Sequence, residues 1–129
     1  MSRIFALILL LLLSLVACSN PQGIGSLTEE DNGKTITLNL GDTLPVRLQG
    51  NPSTGYTWEP VKADLKILTQ VGGPEFIAQN PGTAGSGGTV TLRFKATKAG
   101  QESLKLIYHR SWEKDIAPLK TFEITVIVK

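Results

Sequence analysis

Most of the chain alternates apolar and polar residues with a period of two. Between residues 34 and 40, the side chains of Ile36, Leu38 and Leu40 fall on one face of an extended strand. Similar segments follow, separated by turn residues, at positions 44–48, 65–71, 76–77, 89–97, 103–108 and 122–128. No stretch of ten or more residues keeps a helical period. The pattern predicts an all-β protein, an immunoglobulin-like β-sandwich of seven to eight strands.

One alternating strand contains a proline. Pro45 lies between Leu44 and Val46, and it has no N–H to donate to a neighbouring strand. We therefore expect this second strand to lie at the edge of a sheet or to begin after the proline.

The first residues have a different pattern. Arg3 is followed by an apolar run over residues 4–13, which is shorter than the roughly 20 residues of a membrane-spanning helix. We interpret residues 1–17 as a signal peptide of the lipoprotein type. Leu15-Val16-Ala17-Cys18 resembles a bacterial lipobox, which implies cleavage before Cys18 and lipid acylation of this single cysteine. The alternatives are an ordinary signal peptide with an incidental cysteine, or Cys18 as a catalytic nucleophile, for which no positioned base is evident.

A polar segment rich in Pro and Gly follows the cysteine. We assign residues 18–33 as a lipid-anchored tether and 34–129 as the domain, although the fold could begin as early as Leu27. Ser19 stands where sorted lipoproteins that stay in the inner membrane carry Asp. The expected location is therefore the bacterial cell envelope, with the lipid in the outer membrane.

Composition excludes several classes of function. The 129 residues contain 13 Lys and Arg, 11 Asp and Glu, one His and one Cys. The charge is nearly balanced and shows no basic cluster, so we expect no nucleic-acid partner. One cysteine excludes an internal disulfide and a cysteine-based zinc cluster. We expect no enzyme, no metal, no cofactor and a monomer.

Three segments carry more unusual residues than ordinary turns. Residues 51–58 read NPSTGYTW, with small polar residues at the tip and two aromatic residues as the chain re-enters a strand. Pro52 fixes φ, and Gly55 can adopt the positive φ that closes the turn. We interpret the tip as functional, and Tyr56 and Trp58 primarily as inward anchors of the sandwich.

The other two segments are weaker signals. Residues 81–88, PGTAGSGG, lack the Gly-Lys-Ser/Thr of a phosphate-binding loop, and they indicate either a mobile connection or a close backbone approach to a partner. Residues 108–113 include Arg110 and Trp112, which are residue types enriched in interface hot spots. The alternative is that Trp112 folds over the sheet edge with Arg110 stacked on it.

In this order the three segments resemble the loops of the chagasin family of cysteine-peptidase inhibitors. That family carries N-P-T-T-G-(Y/F)-x-W, G-x-G-G and R-P-(W/F), and here Ser53 replaces a Thr and Ser111 replaces the Pro. The resemblance implies a reversible thiol protease inhibitor whose three loops block the cleft of a papain-like peptidase. The residues implied are Asn51, Pro52, Ser53, Thr54, Gly55, Tyr56, Gly85, Gly87, Gly88, Arg110, Ser111 and Trp112.

Two other hypotheses stay open from the residues alone. One is a non-inhibitory envelope lipoprotein that binds another protein or a glycan through the same loops. The other is an enzyme in which His109 would work with Asp115 or Glu113 and with Ser111 as nucleophile. Those side chains lie in one loop, and no residue is evident that orients the histidine as a base.

Overall fold

The computed structural model describes residues 24–129, which form two facing β-sheets. The signal peptide and Cys18 lie outside the described residues, as does the first part of the expected tether. The eight strands are β1 (Thr35–Leu38), β2 (Thr43–Gly50), β3 (Thr57–Pro60), β4 (Leu68–Gln70), β5 (Glu75–Ala78), β6 (Gly88–Ala96), β7 (Gly100–His109) and β8 (Lys120–Val128).

The first sheet has the order β1-β8-β7-β3, and the second has the order β2-β6-β4 with β5 also paired to β6. Strands β4 and β5 pair with different parts of β6, at residues 94–96 and 88–91. The β1–β8 pair is parallel, and the other paired strands are antiparallel. The predicted all-β sandwich is confirmed.

Apolar side chains from both sheets fill the space between them, as the period-two pattern predicts. The largest fully buried side chains include Trp58, Phe94 and Phe122, one from β3, one from β6 and one from β8. Trp58 also donates its indole N–H to the Gln49 carbonyl at 2.9 Å, which satisfies the polar end of this buried ring.

Strand β2 lies at a sheet edge, as the proline within it predicts. The Pro45 carbonyl points away from β6 and accepts the Leu27 N–H at 2.9 Å, and Arg47 returns its N–H to the Leu27 carbonyl at 2.8 Å. In an extended strand, the nitrogen and carbonyl of one residue face the same side. The missing N–H of Pro45 therefore costs no bond in the β2–β6 ladder.

This pairing corrects the boundary of the domain, which we placed at Lys34. Leu27 is buried in the core, and a 3-10 helix at Glu29–Asp31 follows it. Gly33 then donates its N–H to the Glu123 carbonyl at 2.7 Å. The apolar side chain of Leu27 and the open edge of β2 hold this segment on the sandwich, so residues 27–33 belong to the fold and not to a tether.

Two further findings concern the described part of the chain. Within residues 24–129, no helix is long and apolar enough to cross a membrane. The same residues contain no group of three or more His, Cys, Asp or Glu side chains arranged to hold a metal ion.

Candidate functional site

Three connections meet at one end of the sandwich. The first loop (residues 51–56) joins β2 to β3, the second loop (residues 79–87) joins β5 to β6, and the third loop (residues 110–119) joins β7 to β8. The strand register brings them together, because Gly50 pairs with Gly88 and Thr57 pairs with His109. The three segments identified in the sequence are therefore neighbours in space.

The first loop is a single 3-10 turn, Pro52–Thr54, which Asn51 caps. The Asn51 Oδ1 accepts the Ser53 N–H at 3.2 Å and the Ser53 hydroxyl at 2.6 Å. Gly55 ends the turn with φ at +82°, the left-handed conformation predicted for this glycine. Pro52, Ser53 and Thr54 are exposed, so this turn presents an ordered, uncharged tip to solvent.

Asn51 also connects the first loop to the rest of the sandwich. Its side-chain amide donates to the Gly85 carbonyl of the second loop at 2.9 Å. Its backbone N–H donates to the Tyr108 hydroxyl of β7 at 2.8 Å. One residue thus joins the first loop, the second loop and the opposite sheet.

The second loop folds on itself before it reaches β6. The Ser86 hydroxyl donates to the carbonyls of Asn80 and Thr83, at 3.2 and 3.0 Å. Gly85 has φ at +77°, and its backbone carries the carbonyl that Asn51 binds. A β-carbon on Gly87 would lie 3.4 Å from the carbonyl oxygen of Gly50 at the end of β2, which is an ordinary contact distance, so the backbone here does not require glycine.

Gly88, which the resemblance implies as a residue of the inhibitory loops, lies in a strand. It is buried as the first residue of β6, and a β-carbon there would overlap the Ile77 carbonyl of β5. Gly88 lets two strands approach each other and has no free surface to offer a partner. The G-x-G-G pattern therefore combines exposed and buried glycines, and the sequence alone does not distinguish them.

Arg110 connects the third loop to the first. Its Nε donates to the Thr54 carbonyl at 3.0 Å, and its guanidinium carbon lies 4.5 Å from the centre of the Tyr56 ring. Glu113 binds the same guanidinium at 3.0 Å and balances its charge. The alternative in which Arg110 stacks on Trp112 is wrong, because Tyr56 offers Arg110 a ring face next to the Thr54 carbonyl.

Trp112 lies against Gly55, where the absence of a side chain leaves room for the ring. A β-carbon on Gly55 would overlap the far edge of the indole. The ring stays 65% exposed, so it does not fold over the sheet edge as the alternative required. Ser111, beside it, is exposed as well.

Aromatic residues support the loops from below. Tyr108 lies between Tyr56 and Trp58, with ring centroids 5.2 and 5.1 Å away. Trp58 is buried and Tyr56 is half-buried, so the interpretation as inward anchors holds fully for the tryptophan and partly for the tyrosine. The central role of Tyr108 was missed, although its place on the inward face of β7, two residues before Arg110, was a usable signal.

Within residues 24–129, no hydrogen bond orients His109 as a catalytic base. Its buried Nε2 lies 3.5 Å from the Glu59 carboxylate and has no hydrogen-bond partner in this part of the chain. Glu113, one of the two acids considered for an active site, binds Arg110 instead. The geometry therefore supplies a rigid set of projecting loops in place of a nucleophile and base.

Comparison with known proteins agrees with this geometry. Residues 37–126 match the chagasin family of peptidase inhibitors (family I42). Amoebiasin-1 of Entamoeba histolytica is 35% identical over 106 residues, which is 81% of this chain and 99% of that protein. Chagasin of Trypanosoma cruzi is 26% identical over 93 residues, which is 66% of this chain and 80% of that protein.

A solved structure shows the same fold. The crystal structure of a cysteine protease inhibitor from Entamoeba histolytica superimposes with a TM-score of 0.70 and 27% identity. The match covers 81% of this chain and 94% of the other.

Proposed function

The chain belongs to the chagasin family and is an inhibitor of cysteine peptidases, not an enzyme, and from this premise we propose that its three loops fill the catalytic cleft of a papain-like peptidase. The observation that carries the proposal is the network of bonds between the loops. Asn51 binds Gly85, and Arg110 binds Thr54, so three loops from different parts of the chain form one projecting wedge.

The exposed tip of the first loop would enter the cleft. Ser53 and Thr54 are small and uncharged, and the bonds to Asn51 hold them in place before a partner arrives. A preformed tip loses little conformational entropy on binding, which favours tight association. The inhibitor escapes cleavage because a fixed turn does not bring a carbonyl into line with the catalytic thiolate.

The other two loops would flank the tip. Gly85 and Gly87 offer backbone without bulky side chains, and Trp112 offers a large exposed ring on the other side. Arg110 is engaged with Thr54, Tyr56 and Glu113, so its role is to position the first loop. The peptidase would contact Trp112 directly and Arg110 only in part.

Ser111 in place of proline does not leave the third loop unrestrained. Glu113 donates its N–H to the Arg110 carbonyl at 3.0 Å, and the two side chains form an ion pair. These bonds close the turn around Ser111 and replace part of the rigidity that a proline would give. This geometry favours inhibition over the alternative of an envelope lipoprotein that has lost it.

The test is titration of papain activity with the full chain kept in mild detergent. We expect stoichiometric, reversible inhibition, with the inhibitor recovered uncleaved. An Asn51→Ala variant, which loses the cap of the tip and the bond to Gly85, should bind at least about tenfold more weakly. Asn39→Ala, in a turn at the other end of the sandwich, is the matched control and should inhibit like the original chain.

Absence of inhibition by a folded sample at micromolar excess would contradict the proposal. Equal inhibition by the Asn51→Ala and Asn39→Ala variants would show that papain is inhibited without the wedge. If the sample does not inhibit papain but captures an envelope protein or a glycan, the result would support the alternative of a non-inhibitory envelope lipoprotein.

We also propose that Cys18 carries lipid and anchors a monomeric inhibitor in the bacterial envelope, at the outer membrane. The support is the lipobox-like sequence and the path of the described N-terminal residues. Leu27 pairs in parallel with Val46, and β2 then runs toward the first loop. Residues 24–26 therefore approach Leu27 from the end opposite the loops, and an anchor ahead of them would point the wedge away from the membrane.

A Cys18→Ser variant tests the anchor in a bacterium that processes lipoproteins. The unchanged chain should incorporate labelled palmitate and sediment with outer membranes, whereas Cys18→Ser should do neither. If the unchanged chain takes up no label and stays soluble, the proposed lipid anchor is wrong. That result would not affect the proposal that the protein is an inhibitor. The residues between 18 and 24 can span at most about 20 Å, so the domain would stay close to the lipid surface.

A further inference from the structure

The third loop exposes more apolar surface than a connecting loop needs. Ile116 and Leu119 are 63% and 60% exposed, and they follow Trp112 in the same loop. These three residues are among the eight large apolar side chains exposed in residues 24–129, although the loop has only ten residues. We call Ile116, Ala117 and Leu119 the apolar shelf.

The backbone holds the shelf in position. Asp115 has φ at +60°, a left-handed conformation that is uncommon for residues other than glycine and tends to mark functional turns. Leu119 donates its N–H to the Tyr108 carbonyl at 2.9 Å, which fixes the far side of the loop to β7. On the near side, Glu113 donates its N–H to the Arg110 carbonyl at 3.0 Å, so hydrogen bonds hold the loop on both sides of Ile116.

The shelf is continuous with the wedge. Ile116, Ala117 and Leu119 form one side of a depression. Its other side is lined by Tyr56 and Arg110, which join the first and third loops, and by His109 and Glu113. Lys114 and Asp115, which precede Ile116 in the chain, are exposed and charged. Apolar side chains next to charged ones are the usual composition of a protein–protein contact.

We propose that the apolar shelf is a second binding surface for the cysteine peptidase and contacts an apolar area beside its catalytic cleft. The inference rests on the proposed function, because the peptidase is the partner that the wedge brings against this face. Water leaves Ile116 and Leu119 on binding, and the contact would contribute to affinity through the hydrophobic effect. Since it lies outside the cleft, the contact would select among peptidases whose catalytic residues are alike.

The test compares inhibition by three full-length variants in mild detergent. The double variant Ile116→Ser, Leu119→Ser should inhibit papain at least about tenfold more weakly than the unchanged chain, mainly through faster dissociation. Ile116→Leu with Leu119→Met keeps the surface apolar and should restore most of the affinity. Leu40→Ser is the matched control, because Leu40 is 59% exposed at the opposite end of the sandwich, and it should leave inhibition unchanged.

The outcomes separate this inference from the proposed function. If the unchanged chain inhibits and the double serine variant inhibits equally well, the wedge stands and the shelf is wrong. If the double serine variant and the Leu/Met variant lose affinity equally, the shape of the side chains matters and apolar contact does not. That result would also overturn the proposed role of the shelf. A sample that is dimeric until the shelf carries serines would assign the surface to a second copy of the chain. The melting temperature of each variant confirms that the fold is intact.

Discussion

The two ends of the sandwich are built in different ways. At the end away from the wedge, the turn between β1 and β2 closes through neighbours: Asn39 donates its N–H to the Asp42 carboxylate at 2.8 Å, and Asp42 returns its N–H to the Asn39 carbonyl. At the wedge, Asn51 binds Gly85 and Arg110 binds Thr54, pairs that are 34 and 56 residues apart in the chain.

This contrast indicates which end of the sandwich carries the function. A turn whose hydrogen bonds join its own residues needs only its local sequence to connect two strands. A wedge bonded across three loops depends on the strand register that brings those loops together. The wedge end also carries the exposed Trp112 and the apolar shelf, whereas the turn between β1 and β2 exposes Leu40. Stability is shared along the sandwich, and binding is concentrated at one end.

The largest expected effect comes from breaking the scaffold under the wedge. Gly88→Ala places a β-carbon against the Ile77 backbone, which cannot move aside without separating β5 from β6. We expect a loss of about 3 kcal/mol in the free energy of unfolding, measured by urea denaturation. Gly82→Ala is the control, since no atom lies within 4 Å of the added carbon, and it should change stability by less than about 0.5 kcal/mol. Equal losses would show that Gly88 is not a packing position.

A second change separates affinity from stability. Trp112→Ala removes the exposed ring of the wedge and should weaken peptidase binding by about 2 kcal/mol, or roughly 30-fold. Ser53→Ala, at the tip, should cost only a few-fold because the Asn51 carboxamide still accepts the Ser53 N–H. Inhibition constants measure both effects, and melting temperatures should stay unchanged. Small and equal losses for the two variants would remove Trp112 as the anchor.

A third change loosens the contact between the first and third loops. Arg110→Ala removes the bond to Thr54 and the contact with Tyr56, and should weaken inhibition by about 1 kcal/mol through a less ordered tip. Arg110→Lys keeps the charge but lacks the planar group that binds and stacks at once. We therefore expect the lysine variant to resemble alanine. Full inhibition by Arg110→Lys would mean that charge alone accounts for the role of this residue.

The smallest effect lies away from the wedge, at the N-terminal 3-10 helix. A hydrogen bond from Lys34 to Asp31, 2.8 Å long, and a second from the Thr28 N–H hold the pKa of the Asp31 carboxyl below its usual value. The carboxylate is favoured in the folded state, so its contribution is present above pH 4 and is lost as the pH falls through the lowered pKa.

Asp31→Asn should therefore lower the melting temperature slightly at pH 7 and not at about pH 2. The side chains are exposed and the effect is small, as for other surface ion pairs. Thermal unfolding at the two pH values measures it. If the difference in melting temperature between Asp31→Asn and the unchanged protein grows as the pH falls, the assigned direction of the pH dependence is wrong.

Sequence patterns predicted the strands better than the contacts between loops. Alternation alone located β2, β6, β7 and β8, because one face of each strand must be apolar to fill the core. The sequence left the start of the fold open between Leu27 and Lys34, because the residues before Leu27 show no period. The partner of Leu27 is the edge of β2, which only the folded sheet exposes.

The loop residues show the same limit. The conformation of Gly55 could be predicted, because a turn after Asn-Pro requires a positive φ close by. The partner of Arg110 could not, because Tyr56 and Trp112 are both aromatic residues near a strand end. Only the three-dimensional position of the Thr54 carbonyl determines which ring the guanidinium meets. Gly88 likewise became a packing residue only once β5 was placed beside it.

Hydrogen–deuterium exchange of the inhibitor in complex with papain would show which surface of the inhibitor meets the peptidase. If the wedge fills the cleft, amides of the first loop should exchange more slowly in the complex, together with those of residues 79–87 and 110–119. Amides of residues 39–42 and 97–100, at the opposite end, should exchange as in the free protein. Protection at the opposite end, or inhibition with no protection of the first loop, would contradict the account.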